Sequence, residues 1–266
     1  MFYMSANAQT WTAFLSATPA SARQPIEIAI GSDPPPVFDF LLGAVEGSPK
    51  PGPLALTLLD SGALVRAISD PSLFSLPQAI QLARAAARLD EALDHKILSD
   101  ITSPAHNWPH DLHRQQTMRV LQVIDAISDC RRLVIPLMKF LKLPHRHLRS
   151  KAVKLLARAC HNATWADSVL NDADPRVRSN LVEGLAAGLG NNAIPLLKKA
   201  ANDPHHRVAV TALLALARLG EADSRALLEK LAAQDHPERK RAAAWALERL
   251  AQDAVSPSSE VPHRTA

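Results

Sequence analysis

The residues best equipped for chemistry lie in the stretch His106-Asn107-Trp108-Pro109-His110-Asp111-Leu112-His113-Arg114. Three imidazoles and a carboxylate so close together are donors of the kind zinc takes, its catalytic sites using three protein ligands and a water. His106 and His110 have the i, i+4 spacing that puts two side chains on one helix face. Pro109 stands between them, however, and proline interrupts the helix that such a pair needs. The stretch therefore reads as a solvated loop that ends at a helix start capped by Asp111. The expectation is that no metal binds, with His106, His110 and His113 the candidates if one does. His205-His206 and the pair His145 and His147 stand at helix starts and read as exposed polar residues. Cys130 and Cys160 form no C-x-x-C pair and read as small buried apolar residues in a reducing compartment. No linear Ser-His-Asp set, Gly-rich phosphate loop or paired-carboxylate motif is legible. Catalysis has no positive argument, and no cofactor is expected.

Charge is the second chemical resource. The chain has 266 residues with 30 Lys plus Arg and 26 Asp plus Glu, for a formal net charge of +4. That balance permits an acidic partner without requiring one. The asymmetry is local. Residues 131–161 carry Arg131, Arg132, Lys139, Lys142, Arg146, Arg149, Lys151, Lys154 and Arg158, and no Asp or Glu. On a helical wheel Lys151, Lys154 and Arg158 share one stripe, opposite Val153 and Leu156.

The elements that must position these groups are helices. Apolar residues make up 47% of the chain and aromatics only 4%, with Ala and Leu dominant, a composition that favours helix over sheet. Eight of the 20 prolines fall within residues 1–53, including Pro34-Pro35-Pro36, so that segment is no regular array. Short helices fit there, for example Val37–Val45, and the alternation Ile26, Ile28, Ile30 predicts a short strand. From about Gln252 onward the chain is polar, carries Pro and Ser, and reads as a disordered tail. No apolar run is long enough to span a membrane, and the N-terminus lacks a secretory signal, so the expectation is a soluble cytoplasmic protein.

Between residues 54 and 251 apolar residues recur at helical spacing in twelve segments that pair into six hairpins. First helices are predicted over 54–69, 91–101, 132–141, 164–171, 192–201 and 222–233. Second helices are predicted over 77–89, 113–128, 147–159, 175–189, 205–219 and 237–251. Leu156, Leu185, Leu216 and Leu247 follow one another at spacings of 29, 31 and 31 residues, and Val153, Val182, Leu213 and Ala244 keep the same intervals. A fixed period of helix–turn–helix marks an α-solenoid, in which each hairpin buries its apolar sides by stacking on its neighbours.

The segment Asp174-Pro175-Arg176-Val177-Arg178-Ser179-Asn180-Leu181-Val182-Glu183-Gly184-Leu185 resembles the second helix of a HEAT repeat. The runs from Leu148 to Leu156 and from Arg207 to Gly220 resemble it as well. The likeness is to short bacterial HEAT-like repeats of the kind also seen in phycobilisome lyases. It covers 131–251 well, 54–130 weakly and the N-terminus not at all. The family's arginine matches Arg149 and Arg178, while Ala209 and Lys240 hold its place in the last two repeats, and the resemblance implies that Arg149 pairs structurally between repeats. It also implies that second helices line a concave face. Along the repeat register Lys154 aligns with Glu183, Leu214 and Trp245, and Arg158 with Ala187, Arg218 and Arg249. The implied partner surface is Lys151, Lys154, Arg158, Leu214, Arg218, Trp245 and Arg249, offered to an acidic protein by a non-enzymatic scaffold. The resemblance leaves two alternatives: handling of a tetrapyrrole, as in the lyases, and DNA-base excision, for which Trp165 and Asp167 stand close together. Nucleic acid is disfavoured because the basic zone is one repeat wide and poor in aromatics.

Overall fold

Proline and glycine decide where several helices begin or end. The computed structural model describes residues 6–31, 34–46, 51–102, 110–160 and 164–255, with the side chains of 110–112 and 254–255 excepted. Among them every regular element is helical, and the fold is all-α. The chain divides into two compact units, Met1–Pro136 and Leu137–Ala266.

The first unit contains α1 (Ala6–Ala17), α2 (Ala20–Ile30), α3 (Val37–Glu46), α4 (Pro53–Asp60), α5 (Ala63–Ser69), α6 (Leu76–Ala86), α7 (Leu93–Thr102) and α8 (His110–Ile127). The strand expected at Ile26, Ile28 and Ile30 is instead the end of α2. Ile26 is buried and Ile28 is 74% exposed. Alternation over three residues is too short to outweigh helical context. The single helix expected over 54–69 is two helices, because Gly62 adopts a left-handed φ of 73° that a continuing helix excludes. The proline triplet has carbonyls but no amide protons to offer. Trp11 Nε1 donates to the Pro35 carbonyl at 2.8 Å, and Asn7 Nδ2 donates to that of Pro34 at 3.0 Å. Trp11 also meets Phe14 and Phe40 edge to face. The described residues of this segment thereby pack together, with Phe14, Ile26 and Leu41 fully buried. Further along, α5 pairs with α6 and α7 with α8, and the pairs stack, α5 on α7 and α6 on α8. Buried Arg119 on α8 donates Nε to the Ile68 carbonyl at 2.8 Å, placing a cation at the C-terminal end of α5.

The division between units falls inside α9 (Val134–Phe140). The second unit continues with α10 (Arg146–Ala159), α11 (Ala166–Leu170), α12 (Pro175–Leu189), α13 (Ile194–Ala200), α14 (His206–Arg218), α15 (Ala222–Ala232) and α16 (Pro237–Val255). Here the solenoid expectation is met: α10, α12, α14 and α16 pack each on the next, with α11, α13 and α15 as their shorter partners. Val153, Leu156, Val182, Leu185, Leu213 and Leu216 are all buried, as their register requires. In the last helix Leu247 is half-buried and Ala244 exposed, because no described helix follows to cover that side. Asp174 caps α12, its carboxylate accepting from the Arg176 amide at 2.8 Å, and Pro175 takes the first turn, where its missing N–H costs nothing. α10 packs closely on α12. A Cβ built on Gly188 would lie 2.3 Å from the Ala157 carbonyl oxygen, so that crossing depends on glycine.

A candidate docking groove on the second helices

Two arginines that the sequence placed in the repeat motif are consumed between hairpins. Arg149 donates Nε and Nη2 to the two carboxylate oxygens of Asp172 at 2.7 and 2.9 Å, and Nη1 to the Leu143 and Pro144 carbonyls at 2.9 Å. Arg178 repeats this one hairpin later, gripping Asp203 at 2.7 and 2.8 Å and the Asp172 carbonyl at 2.7 Å. Each aspartate also accepts a backbone amide from its own loop, Asp174 and His205 respectively, at 2.8 Å. Burial pushes both carboxyls up. The guanidinium and amide hydrogen bonds, with the arginine charges, outweigh it and leave both below the usual carboxylate range. The bond to Asp172 holds Arg149 above its ordinary value despite burial. One repeat further on, Ala209 takes the donor place and Gln234 the acceptor place, so donor and acceptor are lost together.

The groove lies on the same helices, on a different face. It encloses about 510 Å³ and is lined by Glu183, Ala186 and Ala187 of α12, by Thr211, Leu214, Ala215 and Arg218 of α14, and by Trp245 and Arg249 of α16. Six of these residues fall in the two rows that the register predicts, Glu183–Leu214–Trp245 and Ala187–Arg218–Arg249. Small side chains on α12 leave the space open. Leu214 is 4% exposed and forms the floor, whereas Trp245 is 51% exposed and stands as a wall. The cations are engaged to different degrees. Arg218 meets Asp253 through Nε alone at 2.8 Å, both side chains about half exposed. Arg249 Nη1 meets Gln252 Oε1 at 3.4 Å. Lys154 lies 3.5 Å from Glu183, outside the lining.

Of the residues expected to meet a partner, the structure brings Leu214, Arg218, Trp245 and Arg249 into one groove. Lys151, Lys154 and Arg158 sit on α10, beyond its lining. Sequence reading places Gln252 and Asp253 in the tail and so leaves both out of the surface. The helix in fact runs to Val255, and the legible signal was that the first residue unable to continue it is Pro257. Residues 256–266 lie outside the described residues. So does His106, and the side chains of His110 and Asp111 do too; α8 begins at His110, and His113 is exposed. Among the described residues no cluster of His, Cys, Asp and Glu has metal-binding geometry. His205 and His206 are half-buried rather than exposed. They stack at 4.6 Å, His205 Nδ1 accepts the Arg207 amide at 3.2 Å as the cap of α14, and His206 faces Glu238 at 3.5 Å. Burial, then the charges of His206 and Arg178, hold His205 below the usual histidine range against Asp203 and Glu238. Trp165 is buried, and Asp167 points to the surface with Lys199 at 2.8 Å, so the two do not form a base-stacking site. Both cysteines are buried, and neither is in a disulfide.

Comparison with known families agrees with this geometry: a family profile for HEAT repeats matches residues 162–248. That stretch is an array of HEAT repeats. No curated protein matches the chain. HEAT repeats typically mediate protein interactions. The groove lies almost wholly within the matched residues, reaching one position beyond them at Arg249, while Asp253 lies outside. No described helix is long and apolar enough to cross a membrane.

Proposed function

We propose that the protein is a non-enzymatic interaction module that docks an acidic protein on the second-helix face of its HEAT repeats, through the groove walled by Trp245. The observation that carries this reading is a half-exposed tryptophan over a buried leucine floor, flanked by two arginines, in a groove of about 510 Å³. Aromatic and arginine side chains around a desolvated centre are the groups that concentrate binding energy at protein interfaces. The indole is half exposed beside a buried leucine and two arginines, so a partner that covers it gains apolar burial and charge contacts at one place.

The test is capture from native lysate by the full chain, compared with Trp245→Ala and Arg249→Glu. Both residues are exposed, so both variants keep the far-ultraviolet circular dichroism of the parent. A protein retained by the parent at low salt should be lost by both variants and should release as salt rises, since screening weakens exposed charge pairs. An unchanged set of retained proteins would sink the groove as the docking site.

A further inference from the structure

We infer that Arg218 is a carboxylate subsite which the free protein occupies with its own Asp253, and that an acidic peptide docks by exchanging its carboxylate for Asp253 while seating an apolar side chain between Trp245 and Leu214. The inference rests on the docking reading above and adds the partner's chemistry and an internal competitor for it.

The argument begins with the way each arginine is held. Arg149 and Arg178 spend two nitrogens on a carboxylate and a third on carbonyls, and their side chains are 14% and 12% exposed. Among the described residues Arg218 is held by Asp253 through Nε, and its side chain is 46% exposed. A singly held, half-exposed pair contributes little and exchanges readily with another carboxylate. The guanidinium fork that remains suits a bidentate carboxylate, which binds more strongly than the single contact it replaces. Arg249, on the same row, meets Gln252 among the described residues at 3.4 Å, and Gln252 is one residue from Asp253. The final turns of α16 thus supply the present neighbours of both groove arginines.

Charge and space agree on the occupant. Glu183, the acidic side chain in the lining, sits at the α12 end beside Lys154, so its charge is offset there. The α14–α16 end is left with two arginines around an indole. The groove volume of about 510 Å³ falls within the roughly 300–1,000 Å³ of pockets that hold drug-sized ligands, room enough for an apolar side chain and its neighbours. A peptide with one apolar anchor and a carboxylate nearby satisfies both ends of this arrangement. A nucleic-acid strand would bring phosphates but would need several stacking platforms, and the groove offers one.

The experiment probes the full chain with an array of ten-residue peptides, each with one Leu, Ile or Phe anchor and two Glu at varied spacing. The same peptides with Gln in place of Glu and a labelled oligothymidine run alongside. The expected result is binding of Glu peptides and not of their Gln counterparts. Arg218→Ala should weaken it by about tenfold, the effect of losing one charge-assisted bond. Asp253→Asn should strengthen it about two- to fivefold, the worth of an exposed pair removed as competitor. In the Arg218→Ala, Asp253→Asn double variant that gain should vanish. If Asp253→Asn binds no better than the parent while Arg218→Ala and Trp245→Ala still bind worse, the internal competitor is overturned and the groove stands. If no Glu peptide binds, or Trp245→Ala and Arg218→Ala bind as the parent does, the docking reading falls and takes the inference with it. Oligothymidine binding with the same dependence on Arg218 would overturn the peptide as occupant.

Discussion

The seam between hairpins and the groove beside it use the same pair of residue types, arginine and aspartate, for opposite ends. At the seam Arg178 and Asp203 are 12% and 8% exposed and meet through two hydrogen bonds; in the groove Arg218 and Asp253 are 46% and 48% exposed and meet through one. Coulomb attraction at a given distance is several times stronger near protein than in water, so surroundings rather than residue type set the worth of each pair. Desolvation also makes the seam unforgiving. Once both charges have left water, removing one strands the other. An aspartate half in water can let go. The comparison teaches that an arginine's availability to a partner is read from how many of its nitrogens are already committed.

The comparison can be broken most directly at the seam. Asp203→Ala leaves the Arg178 guanidinium nearly buried without its carboxylate and should cost on the order of 3 kcal/mol, measured by denaturant unfolding. Replacing Arg178 and Asp203 together by Met and Leu should recover much of that loss. A single Asp203→Ala variant as stable as the parent would show that the seam is no stronger than the groove.

Acid should expose the same difference more gently. Asp172 and Asp203 ionise below their ordinary range when folded, so their contribution is complete above the unfolded carboxylate value and is lost as pH falls through the folded one. His205 is also depressed, so the unfolded chain takes up its proton first and stability declines as pH falls below the ordinary histidine value of 6.5. Thermal unfolding followed against pH should fall in two stages, one beginning near pH 6.5 and one below about pH 4. His205→Asn, which keeps an acceptor for the α14 cap, should remove the upper stage alone. A single stage in the parent would contradict the assignment.

The smallest expected effect is at the groove. Arg218→Ala should change unfolding stability by less than about 1 kcal/mol, the usual worth of an exposed pair. A loss as large as that of Asp203→Ala would mean that Arg218 is structural, and would sharpen the comparison by removing one of its sides.

Much of the fold was legible because its cause is local. The recurrence of Leu156, Leu185 and Leu216 predicts the stacked second helices, and all three are buried. Asp174-Pro175 predicts a helix start and sits at one. Where the local signal was short or ambiguous the reading failed, as at Ile26–Ile30, where helical context prevailed, and at Gly62, whose left-handed φ divides a predicted helix. The match of Arg149 to the repeat motif implied a pairing between repeats, and its bond to Asp172 supplies it. The register likewise put Leu214, Arg218, Trp245 and Arg249 in two adjoining rows. It could not say that Leu214 would be floor and Trp245 wall, since that depends on which helix follows and what it covers.

What the sequence determined by itself is the periodic part of the molecule: helix spacing, repeat length, which face of each second helix is apolar, and where caps fall. These follow from 3.6 residues per turn and from the few residue types that start or stop a helix. What only the tertiary structure decided is which charges are spent. Arg178 and Arg218 both lie on second helices of successive hairpins, yet one is locked by an aspartate 25 residues away and the other loosely met by one 35 residues away. Such partners are set by how one hairpin turns on the next, and helical periodicity carries no record of that rotation.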